Sequence, residues 1–195
     1  EREHLRAALA KRTAQLEQRA AELALINSVQ QGMAAKLDFQ GIVDLVGDKL
    51  RDLFSSGNVG IGWIDEQAGL MHHLYAVEHG ERLQLPPDQI AVVAAGKRWY
   101  NALAARETVR WNCRADYDAW EIYVVEGTDK SRSGVATPIF ATDRWLGFIS
   151  LENHDRDNAF GEADERLLST VAASMGVALE NARLFDETQR LLKET

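Results

Sequence analysis

SGVATPIFATDRWLGFISLENHDRDNAF, residues 133–160, decides the fold of this chain. The glycine-bounded apolar run Gly134–Ile139 meets a polar turn, Ala141-Thr142-Asp143-Arg144, and a second apolar run, Trp145–Leu151, follows before an acidic loop. Two apolar runs joined by a tight polar turn read as an antiparallel hairpin. Beyond it, Val171, Met175, Ala178, Ala182, Phe185 and Leu192 are spaced alternately by four and three, with Gln189 in the one polar slot. A period near 3.5 held that long predicts a helix that leaves its domain and pairs with another helix.

The N-terminal segment has the same habit. Residues 1–36 contain no proline and one glycine, Gly32, and Leu9, Leu16 and Leu23 recur every seven residues. One frame places these leucines at d with Arg6, Thr13, Ala20 and Asn27 at a. Another makes them a positions with Leu5, Arg12, Arg19, Ile26 and Met33 at d. Polar residues in such a seam weaken it but fix register and partner number. An amphipathic helix lying on its own domain fits the same residues; the charged surroundings favour a homodimer seam.

Between the rods, Leu37–Ser55 predicts a helix with Asp38 as N-cap, Leu37 stapled on Ile42, and a stop at Ser55-Ser56-Gly57. Its apolar face is Ile42, Leu45, Val46, Leu50 and Leu53. Val59–Ile64 reads as a strand with Val59, Ile61 and Trp63 on one face and Gly60 and Gly62 on the other, where a helix or ligand can come close. Asp65–Gly69 is a hairpin loop and Leu70–Val77 the return strand. Asp88 is placed to cap a helix through Ile90, Val92 and Val93 that stops at Gly96 or runs on to Leu103. Thr108–Asn112 reads as a short strand, and Arg114–Val125 suits helix and strand equally. The last helix starts near Gly161, with Asp164 meeting its free amides.

The result is an α+β fold: a central antiparallel sheet of about five or six strands, the terminal helices on one face forming a coiled-coil-like dimer seam, and helices and loops over the other face. Residues 1–24 would be the signalling helix, 25–185 the domain and 186–195 the start of an output linker helix. Because the chain opens on Glu1 and both ends lie in helical sequence, a longer protein carrying an output domain, such as a kinase or cyclase, is expected.

Composition narrows the function. An apolar fraction of 46% supports a true core, and a net charge of −8 counts against nucleic-acid binding. No apolar run approaches the roughly 20 residues that span a bilayer. The single cysteine, Cys113, excludes an internal disulfide or a multi-cysteine metal site, which together with the rest favours the cytoplasm.

Residues 134–140 and 145–151, then Phe160-Gly161-Glu162-Ala163-Asp164-Glu165 and Asn181-Ala182-Arg183-Leu184-Phe185, resemble in order and spacing a GAF domain, the small-molecule-sensing module of many signalling proteins. The resemblance covers roughly Ala24–Phe185. It implies a pocket on the sheet face opposite the terminal helices, and a place in bacterial two-component or second-messenger signalling. Cyclic-nucleotide-binding members often carry Asn-Lys…Phe-x-x-x-Asp-Glu; here Asn153 is followed by His154, so that ligand is not implied.

The richest chemistry lies in Trp99–Tyr123, which holds six of the nine Trp and Tyr residues. Aromatic walls with polar tips suit flat ligands, and Trp99, Trp111, Cys113, Tyr117, Trp120 and Tyr123 are the candidate ligand residues, with Trp111 and Trp120 foremost. Core packing accounts for the same rings. Bilin-carrying members of the family attach their chromophore through a cysteine commonly followed by histidine; Cys113 is followed by Arg114, and a buried bystander thiol is the better reading. The candidate interface residues are Leu9, Leu16, Leu23, Met175, Ala178, Ala182 and Phe185.

No metal site is expected, since His72 and His73 would point to opposite faces of a strand and His79 lies too far along. Gly60-x-Gly62 and Gly96-Lys97-Arg98 lack the rest of a nucleotide fingerprint, and no catalytic constellation is visible. A regulatory sensor that is not an enzyme, with a ligand the sequence does not name, is the leading expectation. A GAF-fold enzyme of the free methionine sulfoxide reductase type and a ligand-free dimerisation module are the alternatives.

Overall fold

The computed structural model describes residues 1–35, 38–54 and 57–194. Leu37 and the Ser55-Ser56 stop signal therefore lie outside the described residues, as does the Met33 side chain. Seven strands form one antiparallel sheet: β1 (Asn58–Asp65), β2 (Leu70–Glu78), β3 (Glu81–Arg82), β4 (Asp88–Gln89), β5 (Val109–Trp111), β6 (Ser133–Ala141) and β7 (Arg144–Asn153). Their order is β3-β2-β1-β7-β6-β5, with β4 on β2. The deciding hairpin forms as read. Ala141 pairs with Arg144 across a two-residue turn in which Thr142 takes φ +54°.

The helices are α1 (Arg2–Ala34), α2 (Phe39–Leu53), α3 (Ile90–Val93), α4 (Arg98–Ala104), α5 (Arg114–Ala119) and α6 (Glu162–Lys193). Asp38 caps α2, its carboxylate accepting from the Gly41 amide at 2.7 Å. Asp164 accepts from the Gly161 amide at 2.9 Å at the start of α6. Gly96, at φ +77°, breaks the predicted run into α3 and α4. Asp88 is no cap: it lies in β4, and its carboxylate meets His73 Nε2 at 2.8 Å. Arg114–Val125 resolves into the short helix α5 followed by an irregular loop.

Two apolar clusters sit on opposite faces of the sheet. On one, α2, α6 and the second half of α1 (Leu25, Val29) pack against Val59, Ile61, Val135, Ile139, Ile149 and Leu151. Strand alternation sends the intervening residues to the other face, where α3, α4 and α5 bring Val93, Trp99, Leu103 and Tyr117 over Met71, Trp111 and Ala136. Gly176 lets α6 lie close on the sheet, since a Cβ there would stand 2.1 Å from the Phe140 carbonyl oxygen.

Gln18 and Ala21 share a surface cleft with Ala163, Asp164 and Leu167, where α6 begins. From there α1 is buried onward at Leu25 and Val29, and α6 from Leu167 to Leu179. The two helices thus run the same way over their shared stretch. Their exposed tails, residues 2–17 and 184–193, leave from opposite ends. No helix among the described residues is long and apolar enough to cross a membrane.

Candidate functional site

Between the sheet and its α3–α5 cover lies a cavity of about 130 Å³, as the space open to water centres. β1 and β7 build its floor from alternate residues. Gly60 pairs with Ser150 and Gly62 with Phe148. A Cβ on Gly60 would meet Ser150 Oγ at 2.6 Å, and one on Gly62 the Phe148 ring at 2.5 Å. The glycines therefore admit neighbouring side chains across the sheet, where the sequence suggested an approaching helix or ligand. Gly134 does the same for the Trp111 ring. Leu85, Trp99, Tyr117, Ile122, Tyr123 and Val125 close the roof. The roof is tied together where the Trp99 amide donates to the Trp120 carbonyl at 3.0 Å.

One end of the cavity is polar. Trp111 Nε1 donates to the fully buried Ser131 hydroxyl at 3.1 Å, and the Glu152 carboxylate lies near Ser131. Burial pushes the Glu152 carboxyl above its ordinary value; Ser131 and nearby His154 oppose that rise, and Glu78 adds to it. Asn58 Oδ1 accepts from the His79 amide at 2.8 Å, which turns its NH2 group toward His154 Nδ1 at 3.2 Å. With Nδ1 accepting, a neutral His154 carries its proton on Nε2, which faces the Asp129 carbonyl at 3.1 Å. The Asp129 amide donates to Glu78 at 2.9 Å.

Glu78, His79 and His154 present ligand atoms within 4.8 Å of one another, a grouping the sequence reading missed. Both His154 ring nitrogens are already engaged, so a metal would have to break one of those bonds. At the roof the Tyr117 hydroxyl donates to the Tyr123 carbonyl at 3.2 Å, and burial drives its pKa far above the ordinary 10.0. Trp99 Nε1 is buried with no hydrogen-bond partner among the described residues.

Of the six candidate ligand residues, Trp99, Trp111, Tyr117 and Tyr123 line this cavity. Trp120 and Cys113 do not. The Trp120 indole donates to the Arg110 carbonyl at 3.0 Å and carries the Arg98 guanidinium 4.4 Å from its ring centre. Cys113 stands before the first turn of α5, its carbonyl accepting from the Tyr117 amide. Phe148, Ser150 and Glu152 were missed, although their alternation along β7 with the glycine face of β1 was a usable signal.

The candidate interface residues divide. Leu9, Leu16 and Leu23 are 67%, 60% and 60% exposed, and Phe185 is 50% exposed. Met175 and Ala178 are only 0% and 1% exposed, packed into the chain's own core against the sheet, and a partner cannot reach them. Ala182 is half-buried beside that core.

The family model for the GAF domain matches residues 36–180. No curated protein matches this chain. Among solved structures, the GAF domain of an Acinetobacter phosphoenolpyruvate-protein phosphotransferase is similar, at 16% identity, 83% coverage of this chain, 94% of that chain and TM-score 0.64. A free methionine-R-sulfoxide reductase from Neisseria meningitidis, in complex with its substrate, matches at 19% identity, 84% and 90% coverage and TM-score 0.65. A phycocyanobilin-bound GAF domain from a cyanobacterial phytochrome matches at 14% identity, 84% and 96% coverage and TM-score 0.65. With the helix-backed antiparallel sheet, the covered cavity and a family match over most of its length, the chain belongs to the GAF domain family.

Proposed function

We propose that this chain is a regulatory sensor domain: a small molecule occupies the cavity, and the change is relayed through α1 and α6 of a homodimer to an output domain. The carrying observation is that β1, β6 and β7 serve both sides. Gly60, Ala136 and Ser150 line the cavity, while Val59, Val135 and Ile149 of the same strands belong to the core beneath α2 and α6. A ligand that spreads or tightens those strands acts directly on the helix layer, and it need only bind one arrangement better than the other. Signalling in the cytoplasm fits the acidic chain with its single cysteine.

The role is binding and not catalysis. A reductase reading would draw on the Neisseria enzyme, yet Cys113 lies outside the cavity lining and is the sole cysteine. An assay with free methionine sulfoxide and a thiol reductant is expected to give no turnover. The sensor reading is tested by thermal-shift screening across small molecules of varied charge. A ligand at one hundred times its Kd adds about 2.7 kcal/mol, or about 5–10 °C for a domain of this size. A pure dimerisation module would give no shift with any of them.

A further inference from the structure

The charge and shape of the cavity point to a class of ligand. Among the described residues lining it are three carboxylates, Glu78, Asp129 and Glu152, and no lysine or arginine. His73 and His154 are the only other titratable bases there, and His73 already faces Asp88 at 2.8 Å. Lys130, next in sequence to Asp129, is ion-paired with Asp118 and lies over the Tyr117 ring, 5.3 Å from its centre. His79 faces Glu78 at 3.8 Å and the exposed Asp129 at 3.0 Å from outside the lining, so Glu152 is the enclosed carboxylate, and with the histidines neutral the cleft repels anions and concentrates cations.

The carboxylates are confined to one end. Phe148, Ser150 and Glu152 alternate along β7 on the cavity face, so Phe148 and Glu152 stand about 13 Å apart along the strand. The Phe148 end is aromatic, with Trp99 edge-on to Phe148 at 5.8 Å between ring centres. There the Trp99 indole N–H is buried without a partner among the described residues. A buried donor left unsatisfied is uncommon and marks a place for an acceptor. The volume of about 130 Å³ compares with the roughly 150 Å³ engineered cavity that holds one benzene. One ring with a short arm fits; a nucleotide or a linear tetrapyrrole does not without opening the roof.

We propose that the cavity binds a one-ring organic cation, its ammonium held against Glu152 at the polar end beside the edge-to-face Trp111–Tyr117 pair, and an oxygen acceptor on its ring meeting the Trp99 indole N–H. This inference rests on the reading of the cavity as a ligand site. A ring, a two-carbon arm and a hydrogen bond at each end cover the span between those groups. The aromatic faces add cation–π attraction to the carboxylate's.

Isothermal titration calorimetry of the full chain with four matched probes tests it. Tyramine carries cation and acceptor, 2-phenylethylamine only the cation, tyrosol only the acceptor, and 3-(4-hydroxyphenyl)propionate an anion. Tyramine should bind at least about tenfold tighter than tyrosol, 2-phenylethylamine should bind weaker than tyramine by about three- to tenfold, and the propionate should not bind. Glu152→Gln keeps the shape and an acceptor oxygen while removing the charge, and should bring tyramine and tyrosol to similar affinities. The wild-type comparison stands whether or not that variant folds. Equal or tighter binding of tyrosol or the propionate, or an undiminished preference in Glu152→Gln, overturns the cation assignment and leaves the sensor reading intact. Silence from all four probes also overturns the cation assignment. Silence throughout a broad ligand screen overturns the sensor reading with it.

Discussion

At the scale of single residues, Glu152 sets the electrostatics of the cavity. Its carboxyl titrates above the ordinary 4.5 because burial penalises the charged form. The folded state therefore holds this proton more tightly than the unfolded chain does. The stability tied to it is full below the ordinary value and is lost as pH rises through the folded value. Glu152→Gln, neutral throughout, should be more stable than the wild type at neutral pH, and the advantage should vanish toward pH 4; denaturant titrations across that range measure it. The aromatic walls were legible because Trp and Tyr cluster within 25 residues, Trp99–Tyr123. The carboxylate was not, because its surroundings come from Glu78, Ser131 and His154 on separate segments, and no local pattern announces which side chains will share a pocket. Trp120 misled for the same reason: ring type is visible in sequence, whereas the side of the cover on which a ring lands is set by packing.

At the scale of elements, α6 is two helices in one. Its first half buries Leu167, Leu168, Val171, Ala172, Met175, Ala178 and Leu179, and its last turns expose Leu184, Phe185 and Leu192. The 3.5-residue period runs through both halves without a break, so a repeat count alone gave no way to divide a sheet-facing stripe from a partner-facing one. What divides them is where the sheet ends, a tertiary fact. Leu168→Ala should destabilise the fold by about 2–5 kcal/mol, as a truncation in a closed core does, while Phe185→Ala should change monomer stability by less than about 0.5 kcal/mol. Gly176→Ala should cost about 1–3 kcal/mol or more, because its methyl meets the Phe140 carbonyl instead of a yielding side chain. Chemical denaturation distinguishes all three. Helix starts were readable from Asp38 and Asp164, whose cap bonds need only neighbours in sequence. The α3–α4 break turned on the unusual backbone angle of Gly96, one of two stops the sequence allowed.

At the scale of the whole molecule, the exposed leucines of α1 and the bare end of α6 set the expectation of self-association. Sedimentation velocity should show a dimer, and Leu16→Glu together with Phe185→Glu should convert it to monomer while leaving the thermal transition of the folded body in place; a wild-type monomer at high concentration would refute the seam. The hairpin and the gathering of both terminal helices on one face of the sheet were readable from periodicity, because each follows from which faces of the chain must avoid water; which face takes them was not. Nor was the departure of the two tails from opposite ends. That geometry puts the cavity-bearing body in line with the rods, as a joint within a drive shaft and not a pendant beside it. Torque given to one tail reaches the other through the packing of α1 on α2 and α6, with Leu25 and Val29 at its buried centre, so whatever stiffens or slackens that joint sets how much of the twist gets through.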